Sequence, residues 1–184
     1  FRRVLFRSVR TVFSANGSRF QAPNRPDAEA FGQDVTQKLR DNAQTVTWLR
    51  QLGTSMTLNT VAYRRSATAA LNALTARPLA ATQDRELDHQ GVNVALSYSG
   101  GGHQLKTGVQ YDRNPVAEHF RMVGNHTAGD PVAARFDPTV RGGRAFEFDG
   151  SNVGQNIGVY VQDVFSPAKD LSVSLGVRVD RSEE

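Results

Sequence analysis

The sequence predicts an all-β chain, part of an antiparallel, up-and-down transmembrane β-barrel of which about six strands are present. Three observations predict it. Apolar side chains recur at every second residue over runs of about nine to eleven residues, the length of a tilted membrane strand, whereas globular strands centre near five or six. Short turns alternate with long connections, the rhythm of a barrel with tight periplasmic turns at one rim and long extracellular loops at the other. Aromatic residues gather near strand ends, with Trp48, Tyr98 and Phe165 close to short turns and Tyr63 and Tyr111 at the opposite ends of their strands, as interfacial girdles require.

Taken along the chain, residues 1 to 8, FRRVLFRS, resemble translated adaptor sequence and are set aside, and the closing RSEE has the same look. Residues 9 to 184 then read as an internal piece of a barrel. Residues 20 to 41 fit a loop, a short helix or an extended strand, since Val35 and Leu39 are spaced for either a helix turn or one strand face. Residues 44 to 65 form a hairpin reversing around Gly53, β-branched and aromatic in character, with alternation blurred at Leu49 and Val61. Residues 66 to 89, rich in Ala, Asn and Asp, read as a long connection.

The second hairpin is sharper. Val92, Val94, Leu96 and Tyr98 alternate with Asn93, Ala95 and Ser97, and Gly100-Gly101-Gly102 supplies a turn that tolerates positive φ. Leu105, Thr107, Val109 and Tyr111 then alternate with Gln104, Lys106, Gln110 and Asp112. Residues 124 to 143 read as a second long loop, with segments 114 to 123 and 143 to 148 carrying strands beyond the membrane. In the last hairpin Ile157, Val159 and Val161 alternate with Gly158, Tyr160 and Gln162, and the break Ser166-Pro167-Ala168-Lys169-Asp170 reverses the chain. Leu171, Val173, Leu175, Val177 and Val179 then oppose Ser172, Ser174, Gly176, Arg178 and Asp180. One face is aliphatic and the other hydrophilic, which a helix would mix. Asp163 alone falls on the apolar register, tolerable for a charge near an interface.

Composition narrows the function. Apolar residues are 39% of the 184 and mean hydropathy is −0.45, so order lies in the alternation and not in the total. There is no cysteine, hence no disulfide and no thiolate metal site. The net charge of +4 is scattered among acids, unlike the clustered footprint of a nucleic-acid binder. No run approaches the roughly 18 apolar residues of a membrane-spanning helix. His119 and His126, with Glu118 and Asp130 nearby, match no compact metal motif, and no nucleophile elbow, phosphate loop or dinucleotide fingerprint occurs. Neither an enzyme nor a bound cofactor is expected.

NIGVYVQDVFSPAKDLSVSLGVRVDR, residues 156 to 181, resembles the recurring barrel hairpin of TonB-dependent outer-membrane receptors, in which Tyr160, Gln162, Asp163, Phe165, Leu171, Gly176, Arg178 and Asp180 occupy the pattern positions. HQLKTGVQYDR, residues 103 to 113, is similar to another strand of that family. The resemblance implies a Gram-negative outer-membrane receptor for active uptake of a scarce ligand such as an iron chelate, cobamide or glycan fragment. It also implies as partners outer-membrane lipid, a plug domain of the same chain and the TonB complex. The hydrophilic face, with Gln104, Lys106, Gln110, Asp112, Ser172, Ser174, Arg178 and Asp180, then lines the lumen, and no ligand-binding residue is assigned. A passive porin-like channel and a soluble β-sandwich binding module stand as alternatives, because antiparallel sheets with one wet face alternate too. If Leu175 lies mid-bilayer, Leu175→Arg costs roughly 2–4 kcal/mol and Ser174→Arg little.

Overall fold

The computed structural model describes residues 7–23, 26–30, 32–76, 79–124 and 145–183. Its strands are β1 (Arg7–Gln21), β2 (Thr36–Leu52), β3 (Met56–Ala73), β4 (Leu79–Gly100), β5 (His103–Gly124), β6 (Phe146–Ala168) and β7 (Leu171–Glu183), with a short helix α1 (Pro26–Ala30) between β1 and β2. They form one 7-stranded sheet in chain order, each strand antiparallel to the last. The sheet is up-and-down and not closed. Its solvent-accessible area is 13097 Å², against about 8,700 Å² expected for a compact folded protein of this mass. Among the described residues no large side chain is fully buried. The chain builds a wall and leaves the covering of both faces to something else.

Turn chemistry sets the rim at one end. Gly53 takes φ 76 between β2 and β3, while Gly101 and Gly102, at φ 60 and φ 81, form the two-residue link in which Gly100 still pairs with His103. Positive φ at both central residues gives a turn whose twist matches the flanking strands. The third turn is tighter than the five-residue break expected. β6 runs through Pro167 to Ala168, which pairs with Leu171, and only Lys169 and Asp170 turn; the register shift between Phe165 and Ala168 absorbs the proline, which has no N–H for the ladder.

Several expectations need correcting. Among the described residues there are seven strands where about six were expected, because β1 occupies a stretch in which no strand was read. Residues 20 to 41 contain the end of β1, the helix α1 and the start of β2, with residues outside helix and strand at 22–23 and 32–35. Residues 66 to 89 are no long loop. β3 and β4 continue through them to the pair Ala73–Ala81, leaving a connection within residues 74–78. At that rim Thr75 ties the β3–β4 connection to the β1–β2 connection, its hydroxyl accepting from the Asp34 N–H at 2.6 Å and donating to the Asp34 carbonyl at 2.8 Å. β5 and β6 do extend through 114–123 and 146–148; the loop expected over 124 to 143 otherwise lies outside the described residues.

The register shows where each side chain goes, since directly paired residues share a face. Val9, Trp48, Thr60, Val94, Val109, Val159 and Val179 form one row across the sheet, and Leu58, Leu96, Thr107, Val161 and Val177 the next row toward the tight turns. Large apolar residues on this face stay exposed, Val159 at 52% and Val179 at 67%. The opposite face is polar and carries Asp112, Ala95, Gly108 and Gly158, all buried. Tyr63 belongs here too, paired with Gly91, so it is no girdle residue; Leu49 and Val61, which blurred the alternation, also point this way.

Further along the strands the apolar face turns polar, and the opposite face gains apolar residues among its charged ones. A row of Gln44, Arg64, Gln90, Arg113 and Gln155 closes the apolar band. Beyond it the same face bears Lys38, Arg40, Asp84, Glu86, His119 and Asp149, while the other face gains Leu39, Leu71, Leu87, Val116, Phe120 and Phe148. β4 and β5 have 22 residues each and β6 has 23, about twice what a tilted strand needs to cross hydrocarbon.

Candidate functional site on the polar wall

The polar face between β3 and β7 is one connected hydrogen-bond network. Asp112, 6% exposed, lies at its centre. The Tyr63 hydroxyl donates to one carboxylate oxygen, Gln110 Nε2 donates to the other at 2.8 Å, and His89 Nε2 lies 3.5 Å from the first. The His89 and Tyr63 rings are 5.3 Å apart. From β7, Arg178 holds Asp180 through Nε and Nη2 at 2.8 Å and reaches Gln110 Oε1 at 3.3 Å. A carboxylate taken out of water is costly unless its lone pairs find donors, and here three strands bring candidate donors to one carboxylate.

Glycines make room for this network. A Cβ at Gly91 would lie 2.6 Å from the Tyr63 hydroxyl and 2.7 Å from Asp112 Oδ1, and one at Gly108 would lie 2.6 Å from the Tyr160 hydroxyl. A Cβ at Gly158 would strike Asp180 and approach Arg178 Nη2 to 3.0 Å. Each glycine is thus the seat on which a long neighbour lies flat against the wall.

Nearer the reversal the wall changes character. Arg65 donates from Nε to Asp41 Oδ1 at 3.0 Å, and that guanidinium holds the Asp41 carboxyl below its ordinary pKa. Gln83 and Arg85 both donate to Glu118, lowering it likewise. Beyond them sit Phe120 and Phe146, edge to face at 6.2 Å, and Phe148, half exposed.

The residues expected to line the interior do share this face: Gln104, Lys106, Gln110 and Asp112 on β5, and Ser172, Ser174, Arg178 and Asp180 on β7. Sequence reasoning missed Tyr63, His89 and the glycine seats, although a glycine paired with a tyrosine across strands is a signal once register is known. His119 donates through Nδ1 to Asp149 at 2.5 Å, on the opposite face from Glu118, so His119 and Glu118 do not converge; His126 and Asp130 lie outside the described residues. Asp163, on the apolar face, meets His103 Nδ1 at 2.7 Å, and the His103 ring stacks on Phe165 at 4.4 Å.

Comparison with known proteins agrees with this geometry. The family model described as TonB dependent receptor-like, beta-barrel, matches residues 4–184. Among solved structures, the siderophore receptor PiuA from Acinetobacter baumannii superposes with a TM-score of 0.51 at 10% identity, covering 95% of this chain and 36% of that one. The chain therefore spans about a third of that receptor's length. No curated protein matches it in sequence. The chain belongs to the TonB-dependent receptor β-barrel family.

Proposed function

We propose that residues 9 to 184 form part of the barrel wall of a Gram-negative outer-membrane receptor that takes up a scarce ligand, an iron chelate, cobamide or glycan fragment, by TonB-coupled transport. Its apolar face meets lipid. Its polar wall faces a plug domain of the same protein and the passing solute, and the TonB complex acts through that plug. The observation that supports the reading is the change of one face from apolar to charged along single strands. A soluble sandwich needs one face apolar for the whole strand length, whereas a barrel longer than the membrane is thick needs an apolar exterior only within the hydrocarbon.

On this reading the fixed ion pairs and phenylalanines at the outer end meet solute first, and the network around Asp112 gives the lumen a wall already saturated with internal hydrogen bonds. The test is uptake by cells carrying the intact receptor. Accumulation of radiolabelled ferric chelate, cobamide or oligosaccharide is expected to stop on adding a protonophore or deleting TonB. Accumulation indifferent to both would identify a passive channel instead.

A further inference from the structure

Outside the apolar band, the outward face carries a charge pattern that the uptake reading does not use. Lys38 and Arg40 on β2 stand on one side of Ala70 and Thr68 on β3, and Asp84 and Glu86 on β4 stand on the other, row for row. These side chains border one open trough, and Arg19 on β1 extends its basic side. The small residues of β3 keep the two walls two strand spacings apart, about 9.6 Å between backbones. The cations nearest the acidic wall are already committed, Arg64 to Asp88 and His119 to Asp149. Among the described residues none of Lys38, Arg40, Asp84 and Glu86 makes an ion pair. Each wall lacks a partner of the kind that the other wall holds out of reach.

Symmetry supplies that partner. Copies of a membrane protein insert in one direction, so a two-fold axis relating two of them runs along the membrane normal. With this axis passing in front of β3, left and right exchange while height is kept. The partner's β2 then faces this β4, and the partner's β4 faces this β2. A strand tilt near 40° displaces one wall from the other by about 6 Å in height, close to the rise of about 5 Å between alternate residues of a strand. One of two contacts, Glu86 with the partner's Lys38 or Asp84 with the partner's Arg40, therefore lies level, and long side chains span the other. Both contacts recur across the axis, as in any isologous interface. We propose that this face binds a second copy of the receptor side by side in the membrane, each basic wall against the other's acidic wall. A bound anion would meet only the basic wall and be repelled by the acidic one, whereas a second copy matches both. The inference rests on the membrane orientation proposed above.

The experiment uses the intact receptor, freed of any other cysteine, in the outer membrane of whole cells. Thr68→Cys puts a thiol on the floor beside the axis. A membrane-impermeant bismaleimide of about 10 Å span, the separation of two facing sheets, is expected to give a cross-linked dimer. Val153→Cys, outward on β6 three strands away, should give none. Lys38→Glu with Arg40→Glu should cut the dimer yield per surface receptor about tenfold or more, because like charges then meet, and so should Asp84→Lys with Glu86→Lys. All four substitutions together should restore it, as should co-expression of the two reversed variants. No dimer at Thr68→Cys, or a yield unmoved by charge reversal, overturns the proposal. So does a yield that the fourfold exchange fails to restore, which would assign these charges to another ligand such as an anionic glycolipid. In the charge-reversed background an impermeant maleimide dye should label Thr68→Cys from outside the cell. Absence of that labelling would sink the membrane orientation itself, whereas labelling without a dimer sinks only the second copy.

Discussion

Gly108 shows what a single residue contributes to the wall. A methyl group there would lie 2.7 Å from the Val94 carbonyl oxygen as well as against the Tyr160 ring, so neither the side chain nor the ladder can yield cheaply. Gly108→Ala is expected to destabilise the folded barrel by about 1–3 kcal/mol. Gly154→Ala, where nothing lies within 4 Å, should be neutral or stabilise by up to about 1 kcal/mol through the unfolded chain. Urea titration in lipid vesicles, with the heat-modifiable gel shift as a second readout, separates them. Tyr63→Phe leaves a buried carboxylate short of one donor, and a loss of about 1.5–3 kcal/mol is expected in the same titration. Alternation in the sequence was enough to put Asp112 on the polar face. It could not reveal the partners of Asp112, because Tyr63 and His89 are 49 and 23 positions away and meet it only once register is fixed.

Strands expose a second set of consequences, and here the structure moves one expectation. Leu175 pairs with Asp163, in the row of Tyr98 and Leu105 next to the tight turns, so it sits at the rim and not mid-bilayer. Leu175→Arg should therefore cost only about 0–1 kcal/mol, whereas Val109→Arg, between Val94 and Val159, should cost roughly 2–4 kcal/mol and Gln110→Arg little. Folding yields into vesicles under a urea gradient give the order; equal tolerance at 109 and 110 would falsify the face assignment. The extension of β5 and β6 carries a pH-dependent tie. Asp149 accepts a hydrogen bond from His119 and raises its pKa above the ordinary 6.5. Its stabilising effect is full below about 6.5 and is lost as pH rises through the raised folded value. Protection factors at residues 146 to 150, corrected for the intrinsic base-catalysed exchange rate, should fall on that rise in wild type and stay flat in His119→Gln. The hairpins at 92–112 and 156–180 were legible because their alternation is uninterrupted. The strands through 66–89 were not, since outward residues there include Ser66, Thr68, Ala70, Asp84 and Glu86 while inward ones mix Ala67, Ala69 and Ala81 with Leu71, Gln83, Arg85, Leu87 and His89, so neither face is continuously aliphatic.

At the scale of the whole molecule, a change of solvent along the strands is what ties fold to function. A wall with apolar exterior rows over part of its length, charged exterior rows over the rest, and phenylalanines turned inward beyond the boundary would, in the proposed orientation, mark the membrane's edge. The single tryptophan, Trp48, lies within the apolar band and is 36% exposed, so its fluorescence in vesicles should be quenched by lipids brominated along the acyl chain. In a Trp48→Phe background, tryptophan placed at Val94 should be quenched most by bromines deep in the bilayer, because Val94 occupies a central row. Tryptophan placed at Asp84, on the same face of the same strand, should escape quenching and respond to aqueous iodide. Tryptophan at Phe120 decides between the readings. A protein sorting apolar residues by burial alone would treat positions 94 and 120 alike, whereas a membrane wall keeps 120 inside and above the lipid, unquenched by any bromolipid. Strong quenching at 120 would mean that the faces do not exchange roles along β5, and the membrane boundary drawn through Arg64, Gln90 and Arg113 would have to be abandoned.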